Sequence, residues 1–157
     1  MDPKQTACPE CNKIVRSLVN QARKLRLRQC EIIIDHLPSK FLSPNSRVHW
    51  TVKHGEASAA RSEAGWLAKS KWTGQDPILY AVIDYEFTVT VSRRRDEDNF
   101  ISSCKPWQDG LVDAGVLAAD DKDHLKIGSV SFYKGPRGST KITITEIAEI
   151  LKEGVIK

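Results

Sequence analysis

The sequence predicts an α/β fold, a four-stranded mixed sheet with helices packed on it, and three observations carry that prediction. Residues 79–91 run Leu79, Ala81, Ile83, Tyr85, Phe87, Val89, Val91 with mostly polar residues between, which is the period of a half-buried strand. Two shorter runs, 125–133 and 140–147, flank the segment Lys134-Gly135-Pro136-Arg137-Gly138-Ser139, and turn residues between such runs read as a hairpin. Before and between these strands, apolar residues recur at helical spacing.

Taken in order, residues 13–28 form the first predicted helix, with Ile14, Leu18, Ala22 and Leu25 in one stripe and Arg16, Arg23, Lys24 and Arg26 largely elsewhere. Residues 30–37 are β-branched and stop at Pro38, so they read as a strand. A polar loop over 38–46 follows. Residues 55–70 place Ala60, Ala64, Trp66 and Leu67 on a helical repeat, and residues 72–77 break it. After the strand at 79–91, Phe100, Cys104, Trp107 and Leu111 mark a helix running to about Ala114, with Gly115 as a natural stop. Pro106 either kinks that helix or marks its true first turn, because it lacks an N–H and clashes with the preceding turn. The expected order is β-α-β-α-β-β behind an N-terminal helix. Trp66, Trp107 and Cys104 are expected in the core, and Trp50 is the better candidate for stacking on a base.

At 157 residues the chain suits one domain with a short appendage, and 40% hydrophobic with 28% charged content is ordinary for a globular protein. No apolar run approaches the length of a membrane span, and the N-terminus lacks the apolar core of a signal peptide. A cytoplasmic protein is expected, with its four cysteines as thiols or metal ligands rather than disulfides. The net charge of +4 is uneven: residues 1–29 carry seven Lys/Arg against two Asp/Glu, while the remainder carries 17 against 18. A basic arm on a near-neutral body fits contact with a polyanion, and equally fits a solvated basic helix.

The segment Arg93-Arg94-Arg95-Asp96-Glu97-Asp98-Asn99 sets three cations directly against three carboxylates. Carboxylates at i and i+2 can hold a hard divalent cation, and neighbouring arginines can hold phosphate oxygens. In extended backbone Asp96 and Asp98 would face one metal together, with Glu97 turned away. A second acidic pair, Asp120-Asp121, follows the next helix, and Lys105 is the only cation in that helix. This grouping suits cleavage of a phosphodiester, where bound Mg²⁺ lowers the pKa of a water and stabilises the leaving oxygen. Each part also has a plain structural reading: an Asp at 96 or 98 caps a helix, and Asp120-Asp121 forms a turn.

The same residues resemble the RusA family of Holliday junction resolvases. The likeness lies in Arg95-Asp96-Glu97-Asp98-Asn99, Lys105, Asp109-Gly110-Leu111-Val112-Asp113-Ala114-Gly115 and Asp120-Asp121, and upstream in Ile33 through Lys40 with Pro44-Asn45. It spans roughly residues 31–147, so residues 30–157 read as a RusA-like endonuclease domain and residues 1–29 as an appendage. The resemblance implies a homodimeric endonuclease that nicks four-way DNA junctions symmetrically in recombination and repair, with Mg²⁺ or Mn²⁺ as cofactor. It implies Asp96, Asp98 and Asp121 as metal-site aspartates, Asp120 as the neighbouring candidate, and Lys105 as the essential lysine. Arg93, Arg94, Arg95 and Asn99 are the expected DNA contacts. The chain departs from the shorter family members in a longer gap between Asn99 and Lys105, followed by Pro106.

Cys8 and Cys11 form a single C-x₂-C. With Cys30 and His36 it offers an irregular zinc site, and without them a thiol-bearing turn or a redox pair. His49 and His54 flank Trp50 and are read as surface histidines or DNA contacts. The alternative to a nuclease is a non-catalytic DNA-binding protein that uses the basic arm, with or without a zinc knuckle at Cys8 and Cys11.

Overall fold

The computed structural model describes residues 27–147. The predicted helix at 13–28, the basic arm and the Cys8/Cys11 pair lie outside the described residues, except that Leu27 and Arg28 are seen and are not helical. In chain order the elements are β1 (Gln29–Ile34), a 3₁₀ turn (Lys40–Leu42), α1 (Trp50–Lys71), β2 (Ala81–Val89), α2 (Glu97–Ser103), α3 (Lys105–Asp113), β3 (Leu125–Lys134) and β4 (Ser139–Glu146).

The strands form one mixed sheet in the order β1-β4-β2-β3. β2 runs parallel to β3, and β4 lies antiparallel to both β1 and β2. This corrects the expected hairpin: β3 and β4 are consecutive in sequence but β2 separates them. The reason lies in their side chains. β4 buries Thr140, Ile142 and Ile144 in strict alternation, while β3 keeps only Leu125 buried. A strand with one fully buried face suits a central position, and a largely exposed strand suits an edge. The 135–138 segment therefore crosses the end of β2, where the Gly135 N–H donates to the Val89 carbonyl at 2.9 Å.

One face of the sheet holds the core. Cys30, Ile32 and Ile34 of β1, Ile83, Tyr85 and Phe87 of β2, and Ile142 and Ile144 of β4 all point into it. Buried Cys104, Trp107 and Leu111 from the helices complete it. The opposite face is polar, and Lys141 bridges Glu31 and Glu86 across three strands at 3.3 and 3.6 Å. β2 is shorter than its sequence pattern, with Leu79 and Val91 exposed.

Two helical expectations need correction. α1 begins at Trp50, five residues before the predicted start, because the His49 ring accepts from the Thr51 N–H and caps it. Trp66 is 77% exposed rather than buried. The face of α1 that meets α3 is built of small residues: Ala64 and Ala68 are buried, and a Cβ on Gly65 would stand 3.2 Å from the Gly110 carbonyl oxygen. Trp66 follows Gly65 by about 100° around the helix and so points outward. The helix expected across residues 100–114 is two helices broken at Cys104, and Pro106 occupies the first turn of the second. There its missing N–H leaves no bond unmade. Gly115 ends α3 at φ +73°, a left-handed conformation.

Candidate phosphodiester-binding and metal centre

The charge cluster begins where β2 ends. Residues 90–96 leave the sheet without regular structure and α2 starts at Glu97. Asp96 is the cap of α2: its carboxylate accepts from the Asn99 backbone N–H at 3.4 Å and from the Asn99 side-chain amide at 2.7 Å. Asp98 already lies in the first helical turn. The expectation that Asp96 and Asp98 share one face of extended backbone is therefore corrected; the chain turns helical between them, because a capped Asp followed by Glu and Asp favours a helix start.

The six charged side chains of this segment do not pair with one another. No ion pair or hydrogen bond within the described residues reaches Arg93, Arg94 or Asp98. Arg95 instead donates from Nη2 to the Val91 carbonyl at 2.8 Å, and its guanidinium carbon sits 5.8 Å from the Phe100 ring centre. Phe100 in turn packs edge-on against Phe87 and Phe132, which fixes α2 over the end of β2. Arg95 is thereby held in place while its Nε remains buried without a partner among the described residues.

The second acidic group gathers at α3. Lys105, at the start of that helix, pairs with Asp120 and stands 3.7 Å from Asp109 one turn later. The Lys105 hydrogen bond holds the Asp120 carboxyl below the usual range. Partial burial, then the neighbouring Asp120, raise Asp109. The two acids thus share one ammonium, Asp120 in direct contact and Asp109 at 3.7 Å. Asp121 faces elsewhere: its Oδ1 accepts from the Asp123 backbone N–H and the His124 ring at 2.8 Å. It shapes the turn into β3, and the His124 ring stacks on Tyr80.

The sequence-predicted site residues therefore fall into two sets. Asp96, Asp98, Asn99 and the arginines follow the C-terminal end of β2. Asp120 and Asp121 precede β3, whose first residue pairs with Ala81, the first residue of β2. Lys105 belongs to the second set. Among the described residues no three His, Cys, Asp or Glu side chains gather as a ready-made metal site. Cys30 is a buried core thiol, and the His36 ring meets the Leu37 carbonyl and the Glu63 carboxylate, while Cys8 and Cys11 lie outside the described residues. Of the remaining candidates, Trp50 is 71% exposed and His54 is exposed on α1.

An uncharacterized protein of Xylella fastidiosa (strain Temecula1 / ATCC 700964) is 32% identical to this chain over 120 residues, covering 74% of this chain and 77% of that protein. The chain belongs to the family of that protein. No family model matches the chain.

Three juxtapositions at the site, as distinct from the residues that form them, are not legible in the sequence alone. Asp109 shares Lys105, a link visible as an i, i+4 pair once α3 is known to begin at Lys105. Arg61 of α1 forms a forked pair with Asp113 of α3, with Nη2 to Oδ1 at 2.7 Å, and so ties the acidic helix to its neighbour. Lys40 and Asn45 join Arg93 and Arg95 around one cleft. No local pattern signals the last two, because the crossing of α1 and α3 brings Arg61 to Asp113 and the packing of the 37–46 loop against α2 forms the cleft. Among the described residues no helix is long and apolar enough to cross a membrane.

Proposed function

We propose that this chain is a Mg²⁺- or Mn²⁺-dependent, structure-selective endonuclease that cuts four-way DNA junctions, acting as a homodimer as its resemblance to the RusA family implies. The observation that carries the reading is the segment 93–99, where three arginines and three acids lie side by side without forming a single ion pair among themselves. Opposite charges held so close normally neutralise one another. Left unpaired, they are available to two external partners of opposite sign, a phosphate and a cation.

The donor set fits a hard divalent cation. Asp98 has no partner among the described residues, and both Asp96 oxygens keep a lone pair beyond their bonds to Asn99. Mg²⁺ takes one or two carboxylates and completes its shell with waters and substrate oxygens, so Asp96 and Asp98 each suit it in kind, although the helix start between them takes them off a shared face. Asp120 and Asp121 belong to the second set, where Asp120 stands with Lys105 and Asp109 and Asp121 faces the turn into β3, so they would serve a second ion. When bound, such an ion supplies Lewis-acid chemistry, activating water and offsetting charge that develops on the phosphate. The protein's own share is positional. Arg93, Arg94 and Arg95 grip the strand, Asn99 orients the Asp96 carboxylate, and Lys105 holds Asp120 ionised. The expected products carry a 5′-phosphate and a 3′-hydroxyl.

The test is a synthetic four-way junction beside a linear duplex of the same sequence, each with and without Mg²⁺. Paired nicks in the junction alone, lost in Asp98→Asn while junction binding persists, are the expected result. Full nicking by Asp98→Asn would sink the assignment. Equal cutting of both substrates would indicate a general nuclease, and salt-sensitive binding with no Mg²⁺-dependent product would indicate a binding protein.

A further inference from the structure

We propose that the cleft between the Leu37–Ser46 loop and α2 is a nucleotide subsite. It takes one unstacked nucleotide of a DNA strand, with the phosphate among Lys40, Arg93 and Arg95 and the base on the apolar floor made by Leu37 and Phe100. That the nucleotide belongs to DNA rests on the endonuclease reading; the chemistry of the cleft does not.

The cleft measures about 440 Å³, within the size range that buries a small ligand. Its chemistry is divided. Leu37, Pro38 and Phe100 are apolar, while Lys40, Arg93 and Arg95 bring three cations to the same walls. None of those cations forms an ion pair among the described residues. An apolar floor rimmed by unpaired cations suits a ligand with a flat ring at one end and an anion at the other.

The Arg95 side chain supplies a second, independent observation. Its Nε is buried and lacks an acceptor among the described residues, so a ligand in the cleft would meet the outer nitrogens of the guanidinium. The Val91 carbonyl and Phe100 hold the group in place for that contact. A phosphate oxygen is the acceptor that guanidinium geometry favours. The cationic wall continues past Arg93 and Arg95 into a smaller cleft of about 160 Å³ that Lys134 lines, with Glu97 opposing it. This gives the strand a direction of exit.

The base must be out of its stack to use such a site. A paired base offers only its groove edges, whereas an extruded base can lie flat on an aromatic ring or a guanidinium plane. The Asn45 side-chain amide donates to the Asn99 side-chain oxygen Oδ1 at 3.4 Å, leaving its own Oδ1 to accept from a base edge.

The experiment uses the full chain in EDTA, so that metal and cutting play no part, with thymidine 5′-monophosphate, thymidine and inorganic phosphate as separate probes. Amide NMR signals of residues 37–46 and 93–103 are expected to shift with the nucleotide, which should bind at least fivefold more tightly than phosphate or thymidine. Arg95→Gln should weaken it about tenfold, and exposed Lys40→Gln, a milder change, about threefold. Lys69→Gln on α1, outside the cleft, removes the same charge and should leave it unchanged. Equal binding of phosphate and nucleotide, shifts elsewhere, or equal losses in Lys40→Gln and Lys69→Gln would overturn the subsite. Mg²⁺-dependent junction cutting without nucleotide binding in the cleft would overturn it alone. Cleft binding without any Mg²⁺-dependent nick would support it and overturn the nuclease reading instead.

Discussion

Replacing Gly110 by alanine tests how α3, and with it Asp109 and Lys105, is held against the rest of the molecule. A Cβ at this position would overlap the Arg61 carbonyl oxygen and stand 3.0 Å from the Gly65 nitrogen. Both obstacles are backbone, so no rotamer relieves them and α1 must part from α3. Ala64 and Ala68 of α1 share one core cluster with Trp107 and Leu111 of α3, so separation loosens the core as well. Overpacking of this kind costs about 1–3 kcal/mol, and backbone contact on two sides places it at the upper end. Alanine in a helix interior returns about 1 kcal/mol relative to glycine. The net loss is then about 2 kcal/mol, or a fall in Tm of roughly 4–8 °C for a domain near this size. Circular dichroism during heating, with urea unfolding as a second measure, reads it directly. Gly55→Ala on the same α1 helix is the control: nothing lies within 4 Å of its added Cβ, so it should gain up to about 1 kcal/mol. If Gly110→Ala melts at or above the wild-type temperature, the close crossing of α1 and α3 is wrong.

Other expectations follow from the same packing and charge arrangement. Trp107→Ala should cost about 3–5 kcal/mol in urea unfolding, whereas Trp66→Ala should stay within about 0.5 kcal/mol; the reverse ranking would contradict the burial of Trp107 and the exposure of Trp66. Both His36 ring nitrogens face acceptors, the Leu37 carbonyl at 2.9 Å and the Glu63 carboxylate at 3.0 Å, and only the imidazolium can donate to both. Burial opposes that charge, but the bonds to Leu37 and Glu63 outweigh it and raise the His36 pKa. The stabilisation is full below the ordinary histidine value and is lost as pH rises through the elevated one. An NMR titration of Glu63→Gln should show a lower His36 midpoint, and an unchanged one would remove Glu63 as a cause. In Lys105→Met the Asp120 carboxyl loses the bond that depresses it, so its pKa should rise, as side-chain carbon NMR can follow. In the wild type that bond stabilises the fold above the usual carboxylate pKa and is lost as pH falls through the depressed value. The Lys105→Met variant should therefore lose stability at neutral pH and little in acid.

Much of this molecule is written in local pattern. The alternation in β2, the β-branched run before Pro38 and the glycine at 115 each specify local backbone through nearest neighbours, and the elements appear close to where those signals place them. The choice left open at Pro106 closed in favour of a new first turn, since a proline is harmless where no N–H is needed. The expected hairpin failed because strand order is set by which faces are apolar across the whole sheet, and a turn-like loop cannot report that another strand passes between its arms. Trp66 failed for a related reason: small residues at Ala64, Gly65 and Ala68 let two helices touch through backbone, and side-chain size then ceases to predict burial.

For the candidate site, sequence by itself supplied the chemistry: acids beside arginines, a lysine between two acidic pairs, and a glycine at the end of the intervening helix. Such identities are covalent facts and need no fold. Tertiary structure alone decided how those charges are spent. It gave Lys105 to Asp120 and Asp109, made Asp96 a helix cap, left Asp98 without a partner among the described residues, and gathered Lys40, Asn45, Arg93 and Arg95 around one cleft. Pairing energies fall off over a few ångströms. Which neighbours come that close is fixed by the packing of α2 and α3 on the sheet rather than by their order along the chain.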